Sequence, residues 1–223
     1  MVRIIPKPWG FETRLEVNED VALTQLVIKG SRSTSLHCHP TKTTSMVCLS
    51  GAGVINFFNS KFELVPGEGF TIRNGLFHQI MNLHQEDDLR LLEFENPSNK
   101  YDLIRFSDSH RRENQPYEDE IDVTLDSLNI EKIEEIVKEG GRINDLEVSL
   151  DVYEMTPGTF RNKELKCNFV VLSGGIHDPV SSHLVLRPAD FVRRDTLEKL
   201  LRRFTIKDSL KVLSLTRRST NDR

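Results

Sequence analysis

From Val21 to Phe94 the chain alternates short apolar runs with polar breaks: VALTQLVI, SMVCLS, GVINFF, FELVP, GFTIR, HQIMNL and LRLLEFE, separated by segments containing Gly and Asn. Runs of this length, rich in Val, Ile, Leu, Phe and Thr and bounded by turn residues, predict strands of an antiparallel sandwich or barrel. After Pro97 the pattern changes. SDSHRRENQPYEDEIDV, residues 107–123, is too polar to supply much core and reads as a linker or excursion. In NIEKIEEIVKEGG, Ile130, Ile133, Ile136 and Val137 share one face at helical spacing. Asn129 as N-cap and Gly140 as C-terminal stop delimit one helix, expected to pack against a barrel.

The second half repeats the first. VCLSG at 47–51 recurs as VVLSG at 170–174, LVPGE at 64–68 as LRPAD at 186–190, and DDLRLLEFEN at 87–96 as DSLKVLSLTR at 208–217. Nearly constant offsets with drifting loop lengths are the mark of a duplicated unit. IKG at 28–30 corresponds to MTPG at 155–158, so the second copy is shortened just where the first reads TSLHCH. Its version, TFRNKELKCN, contains no histidine. Residues 1–118 therefore read as one domain, and residues 119–223 as a helical linker followed by a degenerate second copy.

Thirty Lys and Arg against 34 Asp and Glu give a formal charge of -4, which offers no footprint for nucleic acid or an anionic membrane. No apolar run is long enough for a membrane span, and MVRIIPKPWG lacks the apolar core of a signal peptide, so a cytoplasmic protein is expected. Cys38, Cys48 and Cys167 are odd in number and show no C-x-x-C spacing, which argues against a disulfide framework or a zinc ribbon.

TSLHCH is the first chemical signal. On a strand, His37 and His39 leave the same face roughly 6.6 Å apart by backbone rise, while Cys38 turns away. Such a pair is either an ordinary pair of half-buried histidines or two ligands of a metal. The surrounding residues bear on that choice. GSRSTSLHCHPTKTTSMVCLSG followed by GEGFTIRNGLFHQIMN resembles the two motifs of the cupin superfamily. Gly30, His37, His39 and Gly51 match the first motif, with Thr44 at its acidic position. Gly67, Gly75, His78 and Asn82 match the second, with Arg73 where proline is usual. The resemblance implies two antiparallel β-barrels of cupin type, jelly-roll-like and mainly β, the second degenerate, joined by a short helical linker. It also implies one divalent metal ion, Zn, Fe, Mn or Ni, held by His37, His39 and His78. A barrel lets ligands on facing strands converge with open positions left for substrate or water. Without the acidic ligand, Thr44 is left to hydrogen-bond a ligand or water.

Within cupins the chain is most similar to the type II phosphomannose isomerase group. KPWGFE at 7–12, KTT at 42–44 and YDLIRFSDSHRR at 101–112 carry that likeness over roughly the first half. The chain departs from the group at His37, usually glutamine, and at Thr44, usually glutamate. The likeness implies a metal-dependent isomerase or epimerase acting on a phosphorylated or nucleotide-linked sugar, with Lys42, Thr44 and Arg73 as substrate-binding candidates, a small sugar or sugar-phosphate ligand, and a homodimer. No general base is visible in the sequence. Two other readings stay open, a three-His iron dioxygenase and a non-catalytic sugar-binding or regulatory module. Trp9 reads as a gap filler, and His84, His110, His177 and His183 as surface or structural residues.

Overall fold

The computed structural model describes residues 2–16, 21–99, 101–112, 115, 117–123, 130–139, 141–143, 148–156 and 167–217. The strands of the first half are β1 (Val2–Lys7), β2 (Gly10–Glu16), β3 (Ala22–Ile28), β4 (Leu36–Cys38), β5 (Thr43–Ser50), β6 (Gly53–Asn56), β7 (Lys61–Leu64), β8 (Gly69–Ile72), β9 (Gln79–Asn82), β10 (Leu89–Asn96), β11 (Ile104–Ser107) and β12 (Ile121–Val123). Each apolar run between Val21 and Phe94 supplies one of them. A seven-stranded antiparallel sheet has the order β12-β1-β2-β3-β10-β5-β8.

A smaller layer faces this sheet. It comprises the β7-β6-β9 sheet and the β11-β4 pair. Backbone hydrogen bonds from Thr34 to Ile80 (2.9 Å), from Asn82 to Arg32 (3.0 Å) and in both directions between His37 and His78 join the two pieces. Two jelly-roll-like layers thus stand where the sequence suggested a closed barrel. Trp9, Leu26, Ile28, Met46, Cys48, Ile80 and Leu91 pack between them.

The second half consists of α1 (Ile130–Glu139), β13 (Gly141–Ile143), β14 (Val148–Met155), β15 (Asn168–His177), β16 (Leu184–Leu186), β17 (Phe191–Val192), α2 (Arg194–Leu200) and β18 (Thr205–Arg217). Its sheet runs β13-β14-β18-β15-β16, with β17 also on β15. The order β14-β18-β15-β17 matches β3-β10-β5-β8. Gly51 and Gly174, the matched glycines of VCLSG and VVLSG, both have positive φ, +85° and +76°. A Cβ on Gly51 would meet the carbonyl oxygen of Asp88 at 2.7 Å, and one on Gly174 that of Ser209 at 2.1 Å, so neither position tolerates a side chain. The turn after β7 is also repeated. Cys48 and Glu68 are joined through N–H and C=O as Val171 and Asp190 are, and Gly67 bonds Cys48 as Ala189 bonds Val171.

The two sheets share a core. β5 sends Val47 and Leu49, and β10 sends Leu92 and Phe94, into a cluster completed by Val148, Leu150, Val170, Leu172, Leu213 and Leu215 of the second half. Ile133, Ile136 and Val137 of α1 close it, as the helical spacing predicts. The expected caps Asn129 and Gly140 lie outside the described residues. The far face of the second sheet carries Phe169, Val171, Leu210 and Val212 against Leu197 of α2, so this copy is filled with apolar groups. The strand pattern alone did not reveal α2. Most of TFRNKELKCN, residues 159–166, lies outside the described residues. No helix among the described residues is long and apolar enough to cross a membrane.

One expectation is corrected here. The described residues of the polar stretch 107–123 are part of the fold, because Ile121–Val123 pairs with β1, Arg112 and Tyr117 line the cavity of the first half, and Glu118 pairs with Arg112. It is polar because the cavity it walls is polar.

Candidate metal centre

The three histidines meet where the smaller layer closes. His37 ends a bridge to His78, with reciprocal backbone bonds of 3.0 and 2.8 Å, and His39 lies two residues farther on the same side. Ring centroids are 4.5 Å apart for His37 and His78, 5.0 Å for His37 and His39, and 5.5 Å for His39 and His78. One ring nitrogen from each lies within 4.8 Å of the others.

The backbone sets the tautomers. The Nδ1 atoms of His37, His39 and His78 lie 2.8, 2.6 and 3.0 Å from the carbonyl oxygens of Ser35, Asp102 and Leu76. A carbonyl only accepts, so each Nδ1 carries the proton and each Nε2 keeps its lone pair. Nε2 of both His39 and His78 is buried without a hydrogen-bond partner. An unsatisfied buried acceptor costs about 1–3 kcal/mol, a cost that a cation shared by the three lone pairs removes. Burial, with the neighbouring histidines next, holds His37 well below the usual imidazole range. Burial, followed by Lys42, pushes His39 down to about 3, and His78 lies at about 4, chiefly through burial. All three are neutral near pH 7, as metal ligation requires. The residues therefore fit a divalent ion by donor type, tautomer and charge.

Asp102 organises the approach to this group. Its carboxylate accepts from the backbone N–H of Thr41 (3.1 and 2.9 Å) and of Lys42 (2.9 Å), while its own carbonyl takes His39 Nδ1–H. Burial would raise this carboxyl, but the amide bonds outweigh it and hold it below the usual range.

His37 and His39 open on a cavity of about 70 Å³ between the layers, with His78 buried behind them. Its far wall is the inner face of β10, where Glu93 and Glu95 continue the alternation begun by Leu91. Glu95 is buried and ion-paired with Lys42. Glu93 is half-buried, its carboxyl reaching the cavity yet surrounded by protein. Desolvation, then the neighbouring Glu95, raises it well above the usual carboxylate range. One ligand atom each from His39, Glu93 and Glu95 also lies within 4.8 Å of the others. Farther out, Tyr117 donates its hydroxyl to Glu12, and Lys7 bridges Glu12 (3.4 Å) and Glu118 (2.7 Å). Burial raises both Glu12 and the Tyr117 hydroxyl.

Of the sequence-derived candidates, His37, His39, His78 and Lys42 come together. Thr44 is fully buried opposite Glu95, with its hydroxyl unsatisfied, and is absent from the cavity lining. Arg73 lies elsewhere: its guanidinium grips Asp190 of the second half at 2.7 and 3.3 Å. Trp9 is buried in the core and touches the cavity. Glu93, Glu95, Arg105 and Tyr117 were missed. Two glutamates at alternate positions of LRLLEFEN, opposite Leu92 and Phe94, were the available signal for an acidic inner face.

No family model matches this chain, and no curated protein does. Among solved structures it is similar to KdgF from Halomonas sp., at 15% identity and a TM-score of 0.39, over 42% of this chain and 84% of that one. It is similar to the capsular polysaccharide assembling protein CapF from Staphylococcus aureus, at 22% identity and a TM-score of 0.43, over 47% of this chain and 34% of CapF. A third is the cupin domain of Schizosaccharomyces pombe Cnp3, at 16% identity and a TM-score of 0.37, over 40% and 64% of the two chains.

Proposed function

We propose that this chain catalyses a metal-assisted proton transfer at the carbon beside the carbonyl of a phosphorylated or nucleotide-linked sugar, an isomerisation or epimerisation. The observation that carries this reading is the set of three neutral imidazoles with Nδ1 committed to carbonyls and one ring nitrogen of each within 4.8 Å of the others, beside a carboxyl that has no hydrogen bond or ion pair among the described residues. His37, His39 and His78 would hold one divalent ion, and such an ion supplies Lewis-acid polarisation of a carbonyl or hydroxyl oxygen.

Glu93 is the group suited to move the proton. It takes a proton from the carbon next to the substrate carbonyl and returns it either to the former carbonyl carbon, as the hydroxyl proton passes to the former carbonyl oxygen (isomerisation), or to the other face of the same carbon (epimerisation), so the enzyme ends as it began. Glu95 is unsuited to that task because Lys42 occupies it. The paired charges of Lys7, Glu12 and Glu118, with Tyr117, form a polar wall that keeps sugar hydroxyls hydrogen-bonded as water leaves. Residues 1–118 carry this site in our reading, and residues 119–223 stiffen it from behind.

The test uses fructose 6-phosphate and mannose 6-phosphate in deuterium oxide with protein whose metal content has been measured. Deuterium should enter at the carbon beside the carbonyl, and Glu93→Gln should abolish the exchange while leaving metal content unchanged. Metal without exchange on any sugar phosphate or nucleotide sugar would leave a binding module. Exchange that survives Glu93→Gln would remove Glu93 from its role.

A further inference from the structure

We propose that Arg105 anchors an anionic group of the substrate, a carboxylate or a phosphate, beside the histidine triad; this rests on the triad being the reaction centre. On the β11-β4 ladder Arg105 is the direct partner of His37. Directly opposed residues share a face with Cβ atoms about 4.5–5.5 Å apart, so the guanidinium rises from the strand next to a triad imidazole. Both residues line the cavity.

The other cations near Arg105 are already matched. Lys42 has Glu95, Lys7 has Glu12 and Glu118, and Arg112 has Asp108 and Glu118, both at Arg112 N–O distances of 2.6–2.7 Å. Arg105 has no carboxylate partner among the described residues. Its Nη1 donates to the backbone carbonyls of Arg112 (3.2 Å) and Gln115 (3.1 Å), which hold the plane of the guanidinium in place. Its Nε is buried with no hydrogen-bond partner. The edge formed by Nε and Nη2 thus remains unused, and that edge is the fork that takes a carboxylate or phosphate through two parallel bonds. Arg14, the remaining cavity cation without a carboxylate, spends Nη2 on the Ser98 hydroxyl at 2.5 Å.

Charge and size point the same way. A half-buried guanidinium without a counter-charge is unfavourable, and a divalent ion on the neighbouring histidines would add charge of the same sign. An anionic ligand relieves both. A cavity of about 70 Å³, at about 10–15 Å³ for each water-sized occupant, accepts roughly five to seven non-hydrogen atoms. That accommodates the anionic, reacting end of a substrate, with any remainder extending through the mouth.

The experiment titrates malonate, inorganic phosphate and neutral malonamide calorimetrically into chelator-treated and zinc-loaded protein, as wild type, Arg105→Gln and Arg105→Lys. Wild type should bind at least one anion and ignore malonamide. The tighter of malonate and phosphate identifies which anion the site is built for. Arg105→Gln should weaken that anion by about tenfold or more in both metal states, and Arg105→Lys, which keeps the charge and loses the fork, by less. Zinc affinity should be unchanged in both variants, and their thermal unfolding should confirm that they fold. Equal anion affinity in wild type and Arg105→Gln would overturn the proposal, as would a wild type that binds neither anion at about 10 mM. If zinc fails to bind while the Arg105 effect persists in metal-free protein, the triad reading falls and the anion site stands. If zinc binds and the effect is missing, only the anion site falls.

Discussion

Removing one imidazole from the triad should erase metal-dependent stabilisation. The Nε2 lone pairs of His37, His39 and His78 are already positioned and already deprotonated, so an ion binds the folded chain in a way that the unfolded chain cannot match. At a hundred times its dissociation constant an ion of this kind stabilises by about 2.7 kcal/mol. For a chain of this length that raises Tm by about 5–11 °C, at roughly 2–4 °C per kcal/mol. His78→Ala has a cost of its own, since it loses the Nδ1–H bond to Leu76, worth about 1 kcal/mol, together with packing in a buried position. That cost lowers the Tm of the metal-free variant. The decisive quantity is therefore the metal-induced shift, in which the structural cost cancels. Chelator-treated wild type and variant would be melted with and without zinc, manganese, iron(II) and nickel at pH 7. The wild type should gain the full shift with at least one ion, and the variant little. Equal shifts in the two proteins, or none in the wild type with any ion, would refute the reasoning. The pH dependence follows from the same groups. With His39 at about 3 and His78 at about 4, neither holds a proton that competes with the ion between pH 8 and about 5, and their contribution to affinity should fall only as pH drops through those values.

Four other outcomes follow. These depressed imidazoles are neutral in the folded chain and titrate near 6.5 when unfolded, so the unfolded state binds more protons; their contribution to metal-free stability should decline as pH falls from 6.5 towards 3, and denaturant midpoints of wild type against His39→Asn should diverge in that window. Phe94→Ala should cost about 3–5 kcal/mol and still give one unfolding transition, because Phe94 sits in the core shared by both sheets; a split transition by calorimetry would mean that the halves unfold independently. Gly174→Ala, whose Cβ would collide with Ser209, should destabilise by more than Gly75→Ala, which has positive φ but open space around it, and urea midpoints measure the difference. Thr44→Glu adds a buried carboxylate opposite Glu95, so the Tm of the metal-free protein should fall, which thermal unfolding measures.

Much of the first sheet was legible because alternation along a strand reports which side chains share a face. VALTQLVI, SMVCLS and LRLLEFE became β3, β5 and β10, and the repeated strand order followed from the repeated strings around Gly51 and Gly174. The H-x-H pair and His78 were legible as a set because their spacing to the flanking glycines fits two known motifs. Alternation does not report which layer a face will meet. Successive residues of a strand point oppositely, so Leu213 joins the core between the sheets while its neighbour Val212 faces α2. Polar character misled in the other direction. Residues 107–123 look like a linker in isolation, but Arg112 and Tyr117 are polar because they line a polar cavity, with Glu118 paired to Arg112 and Lys7, and only their return to β1 and β2 makes that visible. Arg73 looked like an anion grip, and the second sheet brings Asp190 to it instead. The chain alone thus determined its strands, the repeated strings of its second half and the three histidines of the triad, all of which depend on local spacing. The assignment of Glu93 and Arg105 to the same cavity depends on which strands pair, because β10 and β11 reach that cavity from opposite layers and only the packed sheets bring them together.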